Sequence, residues 1–206
     1  MRELFQRRGF VGALTALWLT VVTAGTVVLW QYSMTPGDPG APPDRWPAQA
    51  SISLAADAHT LVMLVHPHCS CSRASLSELA KVMTRLDGYA EAWVLFMRPA
   101  GFAKDWEKTD LWERALEIPG VTPLLDDEGR EAALFGARTS GQTVLFDPSG
   151  QLLFAGGITN GRAHEGDNIG ESRLISLVTE GRADSDRASV YGCDLTDSEA
   201  STAGRG

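Results

Sequence analysis

The sequence predicts an α/β domain with a mixed sheet, preceded by one transmembrane helix. Three observations carry this. An uncharged apolar run fills Gly9 to Trp30. Two short, almost continuous apolar segments, Thr60–His66 and Ala92–Met97, flank a stretch with helical periodicity. Further on, Thr143–Phe146 and Leu152–Ala155 enclose the turn sequence Asp147-Pro-Ser-Gly150.

The first run is about 22 residues, or roughly 33 Å as a helix, enough to cross a hydrocarbon core of about 30 Å. It has no polar face, only scattered Thr, and Trp30 and Tyr32 stand where an interfacial belt forms. Arg7 and Arg8 precede it, while Asp38 and Asp44 follow. The positive-inside rule then leaves residues 1–8 in the cytoplasm and the body outside it, anchored through residues 9–30; in a bacterium these places are the cytoplasmic membrane and the periplasm. A cleaved signal peptide is the competing reading, but its apolar region is shorter and ends in small residues. Residues 31–50 are dense in Pro and Gly, which forbids a helix and suits an extended linker.

Within the expected domain, residues 51–180, Leu76, Leu79, Ala80, Met83 and Leu86 recur at three- and four-residue steps, the spacing of an amphipathic helix. Joined to the apolar runs on either side, each suited to a strand covered on both faces, it makes a βαβ unit with a right-handed crossover. Short helices are expected at 111–117, capped by Thr109 or Asp110, and at 129–135. The Asp-Pro-Ser-Gly turn makes 143–155 a hairpin. A last helix covers 168–179. Residues 181–206, rich in Ser, Asp, Ala and Gly, read as a disordered polar tail.

The net charge is −8, and more negative without the first eight residues. Such a surface repels phosphates, and no basic patch with interleaved aromatics exists, so nucleic-acid binding is excluded. Three cysteines are too few for a disulfide scaffold, and one stays unpaired under any intramolecular scheme. Cys69 and Cys71 instead lie in His66-Pro-His-Cys-Ser-Cys-Ser-Arg73, a chemical rather than structural distribution.

This arrangement resembles the thioredoxin fold, in which a cysteine motif joins the first central strand to the next helix. Residues Leu61–Cys69 fit that strand and its exit. Asp126–Gly136 followed by Val144–Gly156 is similar to extracytoplasmic thioredoxin-like reductases and peroxiredoxin relatives. More narrowly, Cys-x-Cys-Ser-Arg-Ala-Ser with Gly156-Gly-Ile-Thr and His164-Glu-Gly-Asp-Asn168 resembles a group of bacterial membrane proteins called RedB. The resemblance implies a three-layer sandwich, a redox activity, and Cys69 in the nucleophile's position, with Ser72 where the resolving cysteine belongs. It also implies a proline near Gly141 or Gln142, which this sequence lacks; that proline shapes substrate binding and keeps metals from the cysteines.

At a strand-to-helix junction, the unpaired N–H groups and helix dipole favour a Cys69 thiolate, and Arg73 adds positive charge one turn away. Residues two apart in a helix diverge by about 200°, so a Cys69–Cys71 disulfide needs a distorted first turn and would be strained. Cys193, in a flexible tail, is another candidate resolver. His66 and His68 either tune the thiolate or move a proton, or else merely occupy the turn. Gly141, Gln142, His164 and Glu165 are candidate substrate-loop residues, with Asp167 or Asn168 capping the last helix as the alternative use of that loop. Trp106 and Trp112 read as packing residues.

Three functions follow. One is a thiol–disulfide oxidoreductase acting on protein or small-molecule disulfides, with no cofactor. The second is a copper- or zinc-binding protein using Cys69, Cys71 and His66 or His68. The third is a catalytically silent interaction module.

Overall fold

A computed structural model of the chain describes residues 2–195. It divides into two compact units, residues 1–35 and 36–206. The first is one helix, α1 (Arg2–Met34), whose stretch Arg8–Met34 is long and apolar enough to cross a membrane. Val11, Leu14, Trp18, Val28 and Trp30 all expose more than a third of their surface. Large apolar side chains thus stand exposed around the described part of the helix, a composition that fits a segment able to cross a membrane.

The second unit contains β1 (His59–Val65), α2 (Ser70–Arg85), β2 (Ala90–Arg98), α3 (Asp110–Leu116), β3 (Val121–Asp127), α4 (Arg130–Leu134), β4 (Gln142–Phe146), β5 (Leu152–Gly156) and α5 (Ile169–Glu180). The five strands form one sheet in the order β3-β2-β1-β4-β5. β1 runs parallel to β2 and antiparallel to β4, with Met63 opposite both Val94 and Thr143. β2 and β3 are parallel, and β4 and β5 form the antiparallel hairpin. The turn between them closes through Gly150 N–H to Asp147 O at 2.9 Å, while the Asp147 carboxylate accepts from Gln151 N–H and Ser149 Oγ–H. The parallel β1–β2 pair and the antiparallel hairpin are the mixed sheet that the sequence predicts, with β3 added at one edge.

Alternation along the central strands feeds two cores. Leu61, Met63, Val65, Val94 and Phe96 pack with Leu76, Leu79 and Val82 of α2, with Leu111 and Ala115 of α3, and with Leu174 of α5. On the opposite face Val62, Leu64, Leu95, Val144 and Phe146 pack with Ala132 and Phe135 around α4. Covering both faces explains why β1 reads as an unbroken apolar run. Asn168 caps α5 through Glu171 N–H, and Thr109 caps α3 through Leu111 N–H.

Three features depart from expectation. β3 goes unpredicted because Pro123 interrupts it; an edge strand tolerates a residue that cannot donate to the ladder. The Pro/Gly-rich segment is not a free spacer beyond Pro36. Gly37 N–H donates to Val190 O and Ala41 N–H to Gly136 O, and Trp46 stacks edge-on against Phe135 and Phe146, each with ring centroids 5.2 Å away. Residues 182–195 are likewise not a disordered tail. Arg187 bridges to Ala155 along the β5 edge, and Asp194 bridges to Thr139. Backbone hydrogen bonds hold this return, and they do not depend on the polar composition that suggests disorder. The remainder of that tail, 196–206, lies outside the described residues.

Candidate thiol site at the start of α2

β1 ends at Val65, and His66-Pro67-His68 turns the chain into α2. The turn is fixed by hydrogen bonds from within and from a neighbouring loop. Cys69 N–H donates to His66 O at 3.1 Å. His66 N–H donates to Ser140 Oγ at 2.9 Å, and Ser72 Oγ donates to His66 O at 2.9 Å. Ser72 and Ser140 hydroxyls meet at 2.8 Å, so Ser140 passes its proton toward Ser72. Both serines are fully buried. Ser72 therefore occupies the resolver's position as a structural group, with its hydroxyl committed to the turn.

Ser140 belongs to the segment Thr139-Ser-Gly141, which lies where the resemblance led us to expect a proline. Gly141 N–H donates to Leu64 O at 2.7 Å. Its φ is +87°, and a Cβ there would stand 2.6 Å from Ser75 Oγ. Only glycine lets this loop close on α2 in that conformation. Gln142 is not turned to a substrate: its amide donates to Pro39 O and accepts from Arg138 N–H. Of this loop, it is Ser140 that touches the site.

Cys69 is the N-cap of α2, with extended φ and ψ of −93° and 123°, and only 3% of its surface is exposed. Its Sγ lies 2.7 Å from Cys193 Sγ. The sulfurs of Cys69, Cys71 and Cys193 all fall within 4.8 Å of one another. None of the three is in a disulfide. Cys193 arrives from the returning C-terminal segment, pinned by Ser140 N–H to Cys193 O at 2.8 Å and Leu195 N–H to Arg138 O at 2.8 Å. Arg162 Nη1 also donates to Gly192 O. Gly192 lies so close to Ser140 O that a Cβ would overlap it.

The electrostatics follow from this packing. The Cys193 thiol donates to Cys69, the Cys71 thiol adds a second hydrogen bond, and together they outweigh burial and hold Cys69 far below the ordinary thiol range. The Cys71 N–H at the helix start faces the same sulfur and helps, without closing a cap hydrogen bond. Cys193 is driven up by the same hydrogen bond with Cys69, by Cys71 and by burial. Cys71 feels a lowering hydrogen bond from Cys193, yet its hydrogen bond to Cys69, burial and the Cys69 charge leave it raised. The cluster thus favours the thiolate at Cys69 and the thiol form at Cys71 and Cys193. Arg73, expected to help, points elsewhere and pairs with Asp110.

The two histidines hold the turn and form part of its rim. His66 Nδ1 accepts from His68 N–H at 3.2 Å, which places its proton on Nε2. Burial lowers the His66 pKa, opposed by the charge on Cys69 and assisted by His68, so the ring is neutral at pH 7. His68 Nε2 donates to Trp106 O at 3.1 Å. Trp106 contacts both imidazoles, with ring centroids 5.5 Å from His66 and 4.4 Å from His68, and Phe102 stacks behind it. Trp106, read as packing from the sequence, therefore packs on the histidine turn that precedes Cys69, in an aromatic wall that opens to solvent at Phe102.

The loop after β5 approaches as expected, but with different residues in front. The Ala163 N–H lies close enough to Cys71 to lower its pKa. His164 and Glu165 are exposed, and Glu165 lies on the side of Lys81. Gly166 N–H donates to the buried Glu78 carboxylate at 2.7 Å, which fastens this loop to α2. For a metal, the grouped donors among the described residues are Cys69, Cys71 and Cys193; His66 Nδ1 and His68 Nε2 are engaged with His68 N–H and Trp106 O.

Comparison with known proteins adds fold information. No family model matches the chain, and no curated protein matches it. Among solved structures, an uncharacterised conserved protein from Geobacillus kaustophilus superposes with a TM-score of 0.57 at 16% identity, over 79% of this chain and 92% of that one. A hypothetical protein from Sinorhizobium meliloti 1021 gives 0.55 at 19% identity, over 80% and 95%. An exposed lipoprotein thioredoxin from Streptococcus pneumoniae gives 0.45 at 14% identity, over 61% and 86%.

Proposed function

We propose that this thioredoxin-like chain is a thiol–disulfide oxidoreductase with Cys69 as nucleophile, anchored by α1 and acting on the extracytoplasmic side on protein or small-molecule disulfides. The observation that carries the reading is the Cys69 sulfur at the N-cap of α2, with two thiols donating to it. Thiolate, not thiol, attacks disulfides. A structural cysteine buried among apolar groups has its pKa raised; this one is lowered. Ser72, Ser140 and the histidine turn hold the backbone around it, and His68 and Trp106 flank the approach. The long apolar helix with Arg7 and Arg8 before it supports the anchor and its orientation.

The test is disulfide reduction by the full chain in detergent, with dithiothreitol as electron source and insulin as substrate. Turnover above the dithiol background, lost in Cys69→Ser, is expected. No turnover above background contradicts the reading and leaves a silent interaction module.

A specific observation favours a second reading. Three sulfurs within 4.8 Å suit a soft ion such as copper(I) or zinc, held by Cys69, Cys71 and Cys193 without the histidines. Metal in stoichiometric amount after purification, with thiols reactive only after chelation and no turnover, would select it.

A further inference from the structure

We infer that Cys193 is the resolving thiol of this site, and that the oxidised protein closes a Cys69–Cys193 disulfide rather than Cys69–Cys71. The inference rests on the oxidoreductase reading, since without a Cys69 nucleophile there is no mixed disulfide to resolve.

The geometry separates the two partners. Cys193 Sγ touches Cys69 Sγ at 2.7 Å. It comes from a different part of the chain, so a bond between them leaves α2 intact. Cys71 sits in the first turn of α2, two residues on from the N-cap, and a bond across so short a ring distorts that turn. Cys71 also has its own neighbour in the Ala163 N–H. The approach of Cys193 is built rather than incidental. The Ser140 and Leu195 amides, which together make the Thr139–Asp194 bridge, and Arg162 hold residues 192–195 at three points, and Gly192 sits where no side chain fits. Ser140 thereby serves both thiols. Its hydroxyl fixes the His66 turn before Cys69, and its amide fixes Cys193.

The chemistry balances within the cluster and one external reductant. The Cys69 thiolate attacks a substrate disulfide RS–SR′, forming Cys69–S–S–R and releasing R′S⁻. Cys69 then no longer bears the charge that holds the Cys193 proton, and that proton passes to R′S⁻. The Cys193 thiolate attacks Cys69 Sγ, forming the Cys69–Cys193 bond and releasing RS⁻, which takes a proton from water. The substrate gains two electrons and two protons; the cysteine pair supplies both electrons and one proton, and water supplies the other. An external dithiol restores the pair by two successive exchanges and is itself oxidised to a disulfide.

The experiment uses the full-length reduced chain in detergent and 5,5′-dithiobis(2-nitrobenzoate), following thionitrobenzoate release. Wild type is expected to release one equivalent quickly and a second as Cys193 resolves. In Cys193→Ser the mixed disulfide on Cys69 persists at least about a hundredfold longer, because an intramolecular thiol is replaced by dilute external ones. Cys71→Ser slows the first release but still gives the second. Peptide mapping of oxidised, unmutated protein without reduction shows a Cys69–Cys193 link. Resolution retained in Cys193→Ser but lost in Cys71→Ser, or a Cys69–Cys71 link in the map, overturns the inference while leaving Cys69 as nucleophile. A first release no faster than that of an ordinary exposed thiol overturns the oxidoreductase reading itself. The map needs no variant, so misfolding of a substituted chain does not affect it.

Discussion

Oxidation of the thiol site should change the stability of the domain by an amount that reports which sulfurs are joined. A Cys69–Cys193 bond closes a ring of about 125 residues, for which the chain-entropy relation gives roughly 5 kcal/mol at 25 °C. A Cys69–Cys71 bond closes a ring of three, for which the same relation gives below about 2 kcal/mol, before strain at the helix start is subtracted. For a domain of this size each kcal/mol moves the midpoint by about 2–4 °C. The first bond therefore raises Tm by roughly 10–20 °C and the second by a few degrees at most. The same 5 kcal/mol, at about 30 mV per 1.4 kcal/mol for a two-electron couple, shifts the folded pair by roughly 100 mV toward the disulfide, and the stabilised Cys69 thiolate of the reduced form offsets part of that shift. Near-ultraviolet circular dichroism of the full chain in detergent, oxidised and reduced, measures the shift. Mass spectrometry establishes that one disulfide has formed. Coincident melting curves, with the bond present, would refute the reasoning.

Further predictions follow from the same packing. Cys193→Ala removes the leading donor to the Cys69 thiolate; loss of a hydrogen bond to a charged group is worth about 1.5–3 kcal/mol, so the apparent pKa of Cys69 rises by about 1–2 units. The pH dependence of iodoacetamide alkylation at Cys69 reads it directly, and an unchanged profile contradicts the assignment. Gly192→Ala forces the C-terminal segment off Ser140, costing about 1–3 kcal/mol and slowing Cys69 alkylation at pH 5–6 without touching a cysteine. Asp126, which caps α4 by accepting from the Glu131 and Ala132 amides, is raised to about 6 chiefly by burial. Between pH 4 and 6 the folded state then binds the proton that the unfolded state has lost. Stability accordingly falls as pH rises through that window, by on the order of 2–3 kcal/mol. Glu171, also raised by burial, acts in the same direction. Denaturation midpoints at pH 4 and 7 check this, and Asp126→Asn should flatten most of the difference.

The sheet was legible where burial leaves a mark on every residue. β1 over Leu61–Val65 and β2 over Ala92–Met97 are apolar without a break because both faces are covered, and the hairpin announces itself through Asp147 and Gly150. β3 was not legible, because an edge strand can contain Pro123 and end in two aspartates without losing its pairing. The position of Cys69 at a strand-to-helix junction could be read. Its electrostatics could not, since the expected Arg73 pairs with Asp110 while the effective groups are thiols. Cys193 and Ser140 are distant in sequence from Cys69, and what brings them there is a set of backbone hydrogen bonds from segments whose Pro, Gly and Ser content reads as linker or tail. Backbone donors are the same in every sequence, so composition is silent about them. A partial signal existed in Gly192-Cys193: a glycine beside the third cysteine permits a close approach.

The central claim is that Cys69 is a thiolate nucleophile working on disulfides. The most direct measurement is the single-turnover reaction of the reduced full chain with 5,5′-dithiobis(2-nitrobenzoate) between pH 4 and 9, in wild type and Cys69→Ser. The account predicts fast thionitrobenzoate release that persists well below the ordinary thiol range and vanishes in Cys69→Ser. Release that follows ordinary thiol ionisation, or that survives the loss of Cys69, would contradict it.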